Sequence, residues 1–154
     1  MANPRILNTD GNDKPLEVTS ADFDIAKHNA VITIEHDGEH RTFMIRTVQA
    51  GEKFGKPGER LVALLVGPDR SRDWDNFGFV RPGGVINVFR NRCKDSGKSP
   101  YQWFGLMLMN PAAWEVKGYA YLMQTFCMRC NRPLTVPSSI LAGLGPTCRE
   151  LVAA

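Results

Sequence analysis

The sequence CMRCNRPL occupies residues 127–134, and the sequence GPTC follows at residues 145–148. Two thiolates separated by two residues can bind one metal ion from a tight turn, and a cysteine on a later turn supplies a third corner of a tetrahedron. Thiolate ligands in this arrangement favour Zn²⁺. We therefore predict that Cys127, Cys130 and Cys148 bind zinc and that the metal holds the C-terminal segment in place.

The residues around these cysteines fit tight turns. After the second cysteine the chain must reverse, and Asn131 is one of the few residue types other than glycine that tolerate a left-handed backbone. Residues 138–142 resemble a single helical turn, and residues 149–154 resemble a short terminal helix. The sulfur of Cys148 is then expected near a helix N-terminus, where free N–H groups favour a thiolate.

The same cysteine pair has two other interpretations, a redox pair and ordinary buried cysteines. Redox motifs usually open a helix, and proline directly after Arg132 argues against a long helix at this point. The sequence therefore favours structural zinc, but it leaves the fourth ligand open. Cys93 is the remaining cysteine, and His36 and His40 flank a predicted hairpin turn from which they are rival candidates.

A sequence resemblance supports the metal prediction. The pattern Cys-x-x-Cys-x-Arg-x-Leu-Thr-x-Pro-x-Ser-Ile, followed by Gly-x-Gly-Pro-x-Cys, runs from Cys127 to Cys148. It resembles a family of uncharacterised bacterial and phage-borne proteins with a zinc-finger-like C-terminus, and a looser likeness extends to Phe43 and residues 64–69. The resemblance implies a metal-binding tail on a small domain and no known activity. Many members carry glycine where this chain has Asn131, and often a histidine just before the first cysteine.

Length and composition predict one compact domain with a metal-bound tail. The chain has 154 residues, of which 43% are hydrophobic, enough for a single core. We expect a flexible arm at residues 1–20, an α+β domain at residues 21–126 and a zinc-finger-like tail at residues 127–154. Four cysteines without a signal peptide predict a reducing cytoplasm, the host cytoplasm if the protein is phage-borne. No apolar run approaches the roughly 18 residues that a membrane-spanning helix needs, so no membrane partner is expected.

The predicted fold is a small, mainly antiparallel sheet with one buried helix. Residues 31–36 and 41–48 form β-rich runs around Asp37-Gly38, a strong hairpin signal. Three further strands are predicted at residues 60–66, 76–80 and 85–89. The pair Ser99-Pro100 predicts the start of a helix that ends at Pro111. Since apolar residues almost encircle this helix, we expect it to be buried against the sheet.

The charge distribution predicts a basic face. The formal net charge is +3, but residues 1–39 carry three basic and eight acidic side chains, whereas residues 40–154 carry sixteen and eight. Basic residues that cluster on one face can bind phosphates. The candidate nucleic-acid-binding residues come from a basic stretch and from the cysteine turns: Arg90, Arg92, Lys94, Lys98, Arg129 and Arg132.

The sequence contains no familiar catalytic motif. It has no Gly-x-Ser-x-Gly, no His-Glu-x-x-His and no complete phosphate-binding loop. We therefore expect a small non-enzymatic zinc-binding protein that binds DNA or RNA through its basic face, with Trp74, Phe77 or Phe79 available to stack on bases. The alternative is a phage-type adaptor or inhibitor that binds a host protein, in which the zinc is purely structural.

Overall fold

The computed structural model describes residues 5–7, 15–17, 24–94, 99–131 and 143–153. The fold is α+β, with short helices on a large sheet. The strands are β1 (Arg5–Leu7), β2 (Pro15–Glu17), β3 (Asn29–His36), β4 (Glu39–Thr47), β5 (Arg60–Leu65), β6 (Trp74–Arg81), β7 (Val85–Val88) and β8 (Ala120–Phe126). The helices are α1 (Pro100–Met109), α2 (Pro111–Glu115) and α3 (Pro146–Ala153), with a 3₁₀ turn at Arg90–Arg92. None of the helices in these ranges is long and apolar enough to cross a bilayer.

The strands form one sheet in the order β2-β1-β8-β3-β4-β5-β6-β7. The six strands from β3 to β8 pair antiparallel, while β1 lies parallel to β8. The mainly antiparallel sheet and its five predicted strands are confirmed. Strand β8 is not among the predicted strands, although it lies inside the sheet and leads directly into Cys127. Its position fixes the start of the cysteine turn against the centre of the domain.

The hairpin between β3 and β4 is built by the turn that the sequence predicts. Asp37 and Gly38 have φ values of 50° and 80°, which is the two-residue turn that matches the twist of the strands. His36 therefore pairs with Glu39. The register places Phe43 on one face of the sheet, where it is fully buried.

Helix α1 packs on the face of the sheet that carries Phe43. A capping box between Ser99 and Gln102 starts the helix, as expected from the serine-proline pair. The ring of Phe104 lies 5.1 Å from that of Phe43, centroid to centroid. The predicted helix does pack against the sheet, but it is not buried all round, because Trp103 and Leu106 on its outer side are 42% and 43% exposed. One helical layer covers the sheet here, so the opposite side of the helix meets solvent.

The N-terminal segment contains two short strands that the sequence analysis did not predict. Strand β1 pairs with β2 and with β8, so residues 5–7 and 15–17 extend the sheet at one edge. Three-residue strands carry too little alternation to be recognised locally, and backbone pairing alone defines them. The division of the chain into an arm, a domain and a tail stays a prediction.

Candidate metal centre

The structure brings together the three cysteines that the sequence selects. One sulfur from each of Cys127, Cys130 and Cys148 lies within 4.8 Å of the other two. Three sulfurs bound to one tetrahedral zinc at about 2.3 Å are roughly 3.8 Å apart, so this cluster needs little adjustment to hold the ion. Cys127 and Cys148 are buried, and Cys130 is half-buried. The donor set and its spacing therefore fit a zinc ion.

The first two cysteines lie on a turn that begins where β8 ends. The N–H of Asn131 donates to the carbonyl of Cys127 over 2.9 Å and closes the turn. Asn131 has a φ of 61°, so the predicted left-handed residue is confirmed. The N–H of Met128 donates to the carbonyl of Gly143 over 2.8 Å. This bond joins the cysteine turn, residues 127–131, to the segment that carries the third cysteine.

The third cysteine lies in the first turn of α3. The terminal helix predicted from Arg149 begins three residues earlier, at Pro146. Proline fits the first helical position because its missing N–H has no partner to lose there. Cys148 is consequently inside the helix, near its positive end, which stabilises a thiolate. The predicted helical turn at residues 138–142 lies outside the described residues.

Hydrogen-bond donors surround the sulfur atoms. Burial raises the pKa of the Cys127 thiol, but N–H groups of Gly145, Cys130 and Arg129 that donate to its sulfur outweigh burial and lower the pKa to about 7. The guanidinium of Arg129 also lies 3.8 Å from the sulfur of Cys148. Metal binding requires deprotonated cysteines, so these donors favour the form that binds a metal.

The side chain of Asn131 anchors the cysteine turn to the sheet. Its Oδ1 accepts from the N–H of Thr47 over 2.9 Å, and its Nδ2 donates to the carbonyl of Thr47 over 2.6 Å. Since Thr47 is the last residue of β4, the amide of Asn131 continues the strand pairing as another strand would. Asn29 adds a third bond by donating to Oδ1 over 3.0 Å.

Three residues that sequence reasoning missed support this anchor. Asn29 donates to the hydroxyl of Thr47 over 2.9 Å, and that hydroxyl donates to the carbonyl of Met128. Arg60 donates from Nε to Oδ1 of Asn29 over 3.0 Å. Burial lowers the pKa of Arg60 to about 10, which leaves it charged at neutral pH. No local signal marks these residues, because only strand pairing brings residues 29, 47 and 60 beside residue 131.

The structure does not bring the proposed fourth ligands to the three cysteines. Cys93 is exposed, and its thiol donates to the carbonyl of Val88 at 3.7 Å. His36 stacks on Tyr119 at the hairpin turn with ring centroids 4.0 Å apart, and His40 lines the same end of the sheet. Among the described residues, the three cysteines are the only group of three or more potential metal ligands whose donor atoms all lie within 4.8 Å of one another.

The predicted basic residues have different surroundings. Arg92 donates to the carboxylate of Asp75 over 2.7 Å, so its charge is already paired. Arg90 and Lys94 are exposed, and Arg129 is exposed beside the cysteines. Lys98 and Arg132 lie outside the described residues. The basic stretch after β7 therefore offers fewer free charges than its sequence suggests.

The aromatic residues proposed for base stacking also have different surroundings. Phe77 is fully buried between Phe43 and Tyr101, so that part of the prediction is wrong. Phe77 is the extra residue of a β-bulge in β6, because the adjacent β5 residues Val62 and Ala63 pair with Gly78 and Asn76. Its ring packs in the hydrophobic core. Trp74 is half-buried and donates from its indole to the carbonyl of Arg70. Phe79 is half-buried on the other face of the sheet.

Two adjoining clefts open beside the cysteine turn. The first, called here the cysteine cleft, has a volume of about 470 Å³ and is lined in part by Cys130 and Arg129. The second, called the Phe79 cleft, has a volume of about 640 Å³ and is lined in part by Phe79 and Lys56. Both clefts share four lining residues: Pro57, Gly58, Arg60 and Met128. The shared wall makes them one continuous surface.

The Phe79 cleft combines basic and aromatic side chains. The guanidinium of Arg81 lies 4.6 Å above the ring of Phe79 and 3.7 Å from the carboxylate of Glu59. The ring of Phe89 contacts those of Phe79 and Phe54 at 5.2 and 5.9 Å. Phe54 is 49% exposed. An aromatic cluster therefore borders the basic side of the cleft.

Comparison with protein families finds a match in the segment that carries the cysteines. The model of DUF6011, a family of unknown function, matches residues 122–153. This range begins within β8 and includes the cysteine turn and α3. Comparisons with curated proteins and with solved structures give no significant match. The chain is thus similar to an uncharacterised family over its candidate metal centre.

Proposed function

We propose that this chain is a non-enzymatic zinc-binding protein that binds single-stranded nucleic acid along the two clefts beside the cysteine turn. The observation that carries the metal part is the cluster of three sulfurs within 4.8 Å of one another. On this proposal the ion fixes the turn and α3, and so holds Arg129 at the edge of the cysteine cleft. Purified, reduced protein should then contain about one zinc per chain. The Cys127→Ser variant should lose most of it, and full retention of zinc would contradict the assignment.

The chemistry of the clefts supports the nucleic-acid part. Lys56, Arg81 and Arg129 line the continuous surface, where Arg81 lies 3.7 Å from the carboxylate of Glu59. Arg60 adds a positive charge in the shared wall, because its pKa of about 10 keeps it protonated at neutral pH. Proteins that bind single strands combine such charges with aromatic rings on which bases stack. Phe79 provides a ring within the cleft. Charge and stacking together favour a single strand over a duplex, whose bases are already stacked.

Salt dependence and charge reversal test this part. Arg129→Glu and Arg81→Glu should each weaken oligonucleotide binding and reduce the slope of log affinity against log salt by about 0.7 or more, as expected for one lost phosphate contact. Arg41→Glu is the matched control, because Arg41 is exposed beside the β3–β4 hairpin turn and lines neither cleft. Equal effects of all three variants would indicate nonspecific attraction to a basic protein. No complex at low salt with zinc-loaded protein would end the proposal.

A different surface supports a second candidate function, binding of a partner protein. Three large apolar side chains are exposed on or just after helices α1 and α2: Trp103, Leu106 and Val116. Exposed apolar groups on neighbouring elements are typical of protein interfaces. The double variant Trp103→Ser/Leu106→Ser should abolish capture of a partner from nuclease-treated lysate. Capture that is unaffected by this variant would exclude the surface as the binding site.

A further inference from the structure

We propose that the metal centre has an exchangeable fourth position that opens into the cysteine cleft and accepts a small anionic thiol from solution. This inference rests on the proposed metal site. It goes further, because it assigns the site a ligand as well as a structural role. Three observations carry it: the supply of ligands in the chain, the burial of the three sulfurs and the charge beside them.

No fourth cysteine or histidine joins the three sulfurs at the distance that separates them from one another. It contains four cysteines and three histidines, and the structure describes all seven. Only Cys127, Cys130 and Cys148 meet within 4.8 Å. Zinc in proteins takes four ligands in structural sites, whereas sites that exchange a ligand combine three protein ligands with a position open to solvent. The described cysteines and histidines fit the second pattern.

The burial of the three sulfurs indicates the side from which a ligand enters. Cys127 is 0% exposed and Cys148 is 7% exposed, so protein covers the cluster on their sides. Cys130 is half-buried and lines the cysteine cleft. A metal ion about 2.3 Å from the sulfur of Cys130 is therefore within reach of a donor in the cleft. The cleft volume of about 470 Å³ can hold a small organic thiol.

The charge near the cluster selects the class of ligand. Three thiolates and one divalent cation leave a single negative charge, which by itself disfavours another anion. The guanidinium of Arg129, 3.8 Å from the sulfur of Cys148, offsets that charge. Arg60 adds a second positive charge in the cleft wall. A soft sulfur donor that also carries a carboxylate matches both the metal and the arginines.

The exchange step balances without any redox chemistry. The entering thiol loses its proton to solvent, its sulfur forms a bond to the metal, and the solvent molecule that held the fourth position leaves. No electron is transferred, and the three cysteine ligands stay bound. The step is reversible, so ligand occupancy should follow the concentration and the thiolate fraction of the thiol.

Cobalt substitution of the full-length protein tests the inference, because thiolate-to-cobalt absorption grows with the number of cobalt–sulfur bonds. Titration with 3-mercaptopropionate should raise this absorption by about one third, from three bonds to four, and the rise should saturate. Arg129→Gln should weaken the binding of 3-mercaptopropionate by roughly threefold while changing that of uncharged 2-mercaptoethanol by less than about twofold. Cobalt should remain with the protein on a desalting column throughout.

Other outcomes separate failure of this inference from failure of the metal site. If the protein binds cobalt but thiols leave its spectrum unchanged, the fourth position is filled and the inference is overturned. A lower absorption in Cys93→Ser would identify Cys93 as the resident ligand and would overturn it as well. Release of cobalt by the thiol would show that the site cannot hold the metal and the thiol together, which also overturns the inference. If the reduced protein binds no cobalt or zinc at all, the proposed metal function fails together with the inference.

Discussion

Replacement of Asn131 tests whether one side chain attaches the cysteine turn to the sheet. Asn131→Gly preserves the left-handed backbone but removes the amide, whereas Asn131→Ala removes the amide and must also adopt a φ of 61°. The two variants therefore separate the cost of the lost hydrogen bonds from the cost of the backbone conformation. Asn91→Ala is a suitable control, because Asn91 is also an asparagine but is exposed on the surface.

The magnitude follows from the bonds that the amide makes. Three hydrogen bonds, two to Thr47 and one from Asn29, contribute about 1 kcal/mol each. Asn131→Gly should then lower the free energy of unfolding by about 3 kcal/mol. Asn131→Ala should cost about 1 kcal/mol more, because a Cβ disfavours the left-handed region. For a domain of this length, 3 kcal/mol corresponds to a decrease in Tm of roughly 6–12 °C.

Thermal unfolding of the zinc-loaded variants measures the stability, and competition with a chelator measures the zinc affinity. The second assay is needed because the turn can detach without unfolding of the sheet. Loss of a residue that orients the ligands should weaken zinc binding by about tenfold or more. Two results would refute the reasoning: Asn131→Gly with the Tm and zinc affinity of the parent, or Asn131→Ala as stable as Asn131→Gly. The Asn91→Ala control should stay within about 2 °C of the parent.

Two further predictions concern packing and pH. Gly143→Ala should lower the free energy of unfolding by about 3 kcal/mol or more, because the new Cβ would lie 1.9 Å from the carbonyl oxygen of Lys27 and the φ is 73°. The control Gly58→Ala, with a φ of 90° and no atom within 4 Å, should lower it by only about 1 kcal/mol. Equal losses in chemical denaturation would contradict the close contact. Burial raises the pKa of Glu115, which is 4% exposed and whose Oε1 has no hydrogen-bond partner in the described part of the chain. A carboxyl whose pKa is raised in the folded protein contributes less to stability as the pH rises through that raised pKa. The Tm of Glu115→Gln should therefore increase relative to the Tm of the parent as the pH rises. A difference in Tm that is constant from pH 4 to pH 9 would contradict the burial argument.

Much of the sheet could be predicted because its signals are local. The alternation of residues 31–36 and 41–48, and the two residues between them that accept positive φ, define a hairpin without reference to the rest of the chain. The start of α1 is equally local, since its capping box spans only Ser99 to Gln102. Strand β8 could not be predicted in this way, because it pairs with β3, more than eighty residues earlier in the chain. The distance in sequence hides the pairing that places this strand inside the sheet.

The sequence by itself determined which residues can bind a metal and why. Three features of the residue order act within a few residues of one another. They are the spacing of Cys127 and Cys130, a residue at position 131 that tolerates a left-handed backbone, and a helix-starting proline before Cys148. Only the tertiary structure decided what the cluster is attached to and what it faces. Strand pairing brings Thr47 to Asn131, separates Cys93 from the three sulfurs and leaves Cys130 beside the cleft. These relations depend on contacts between distant parts of the chain, which no local pattern encodes.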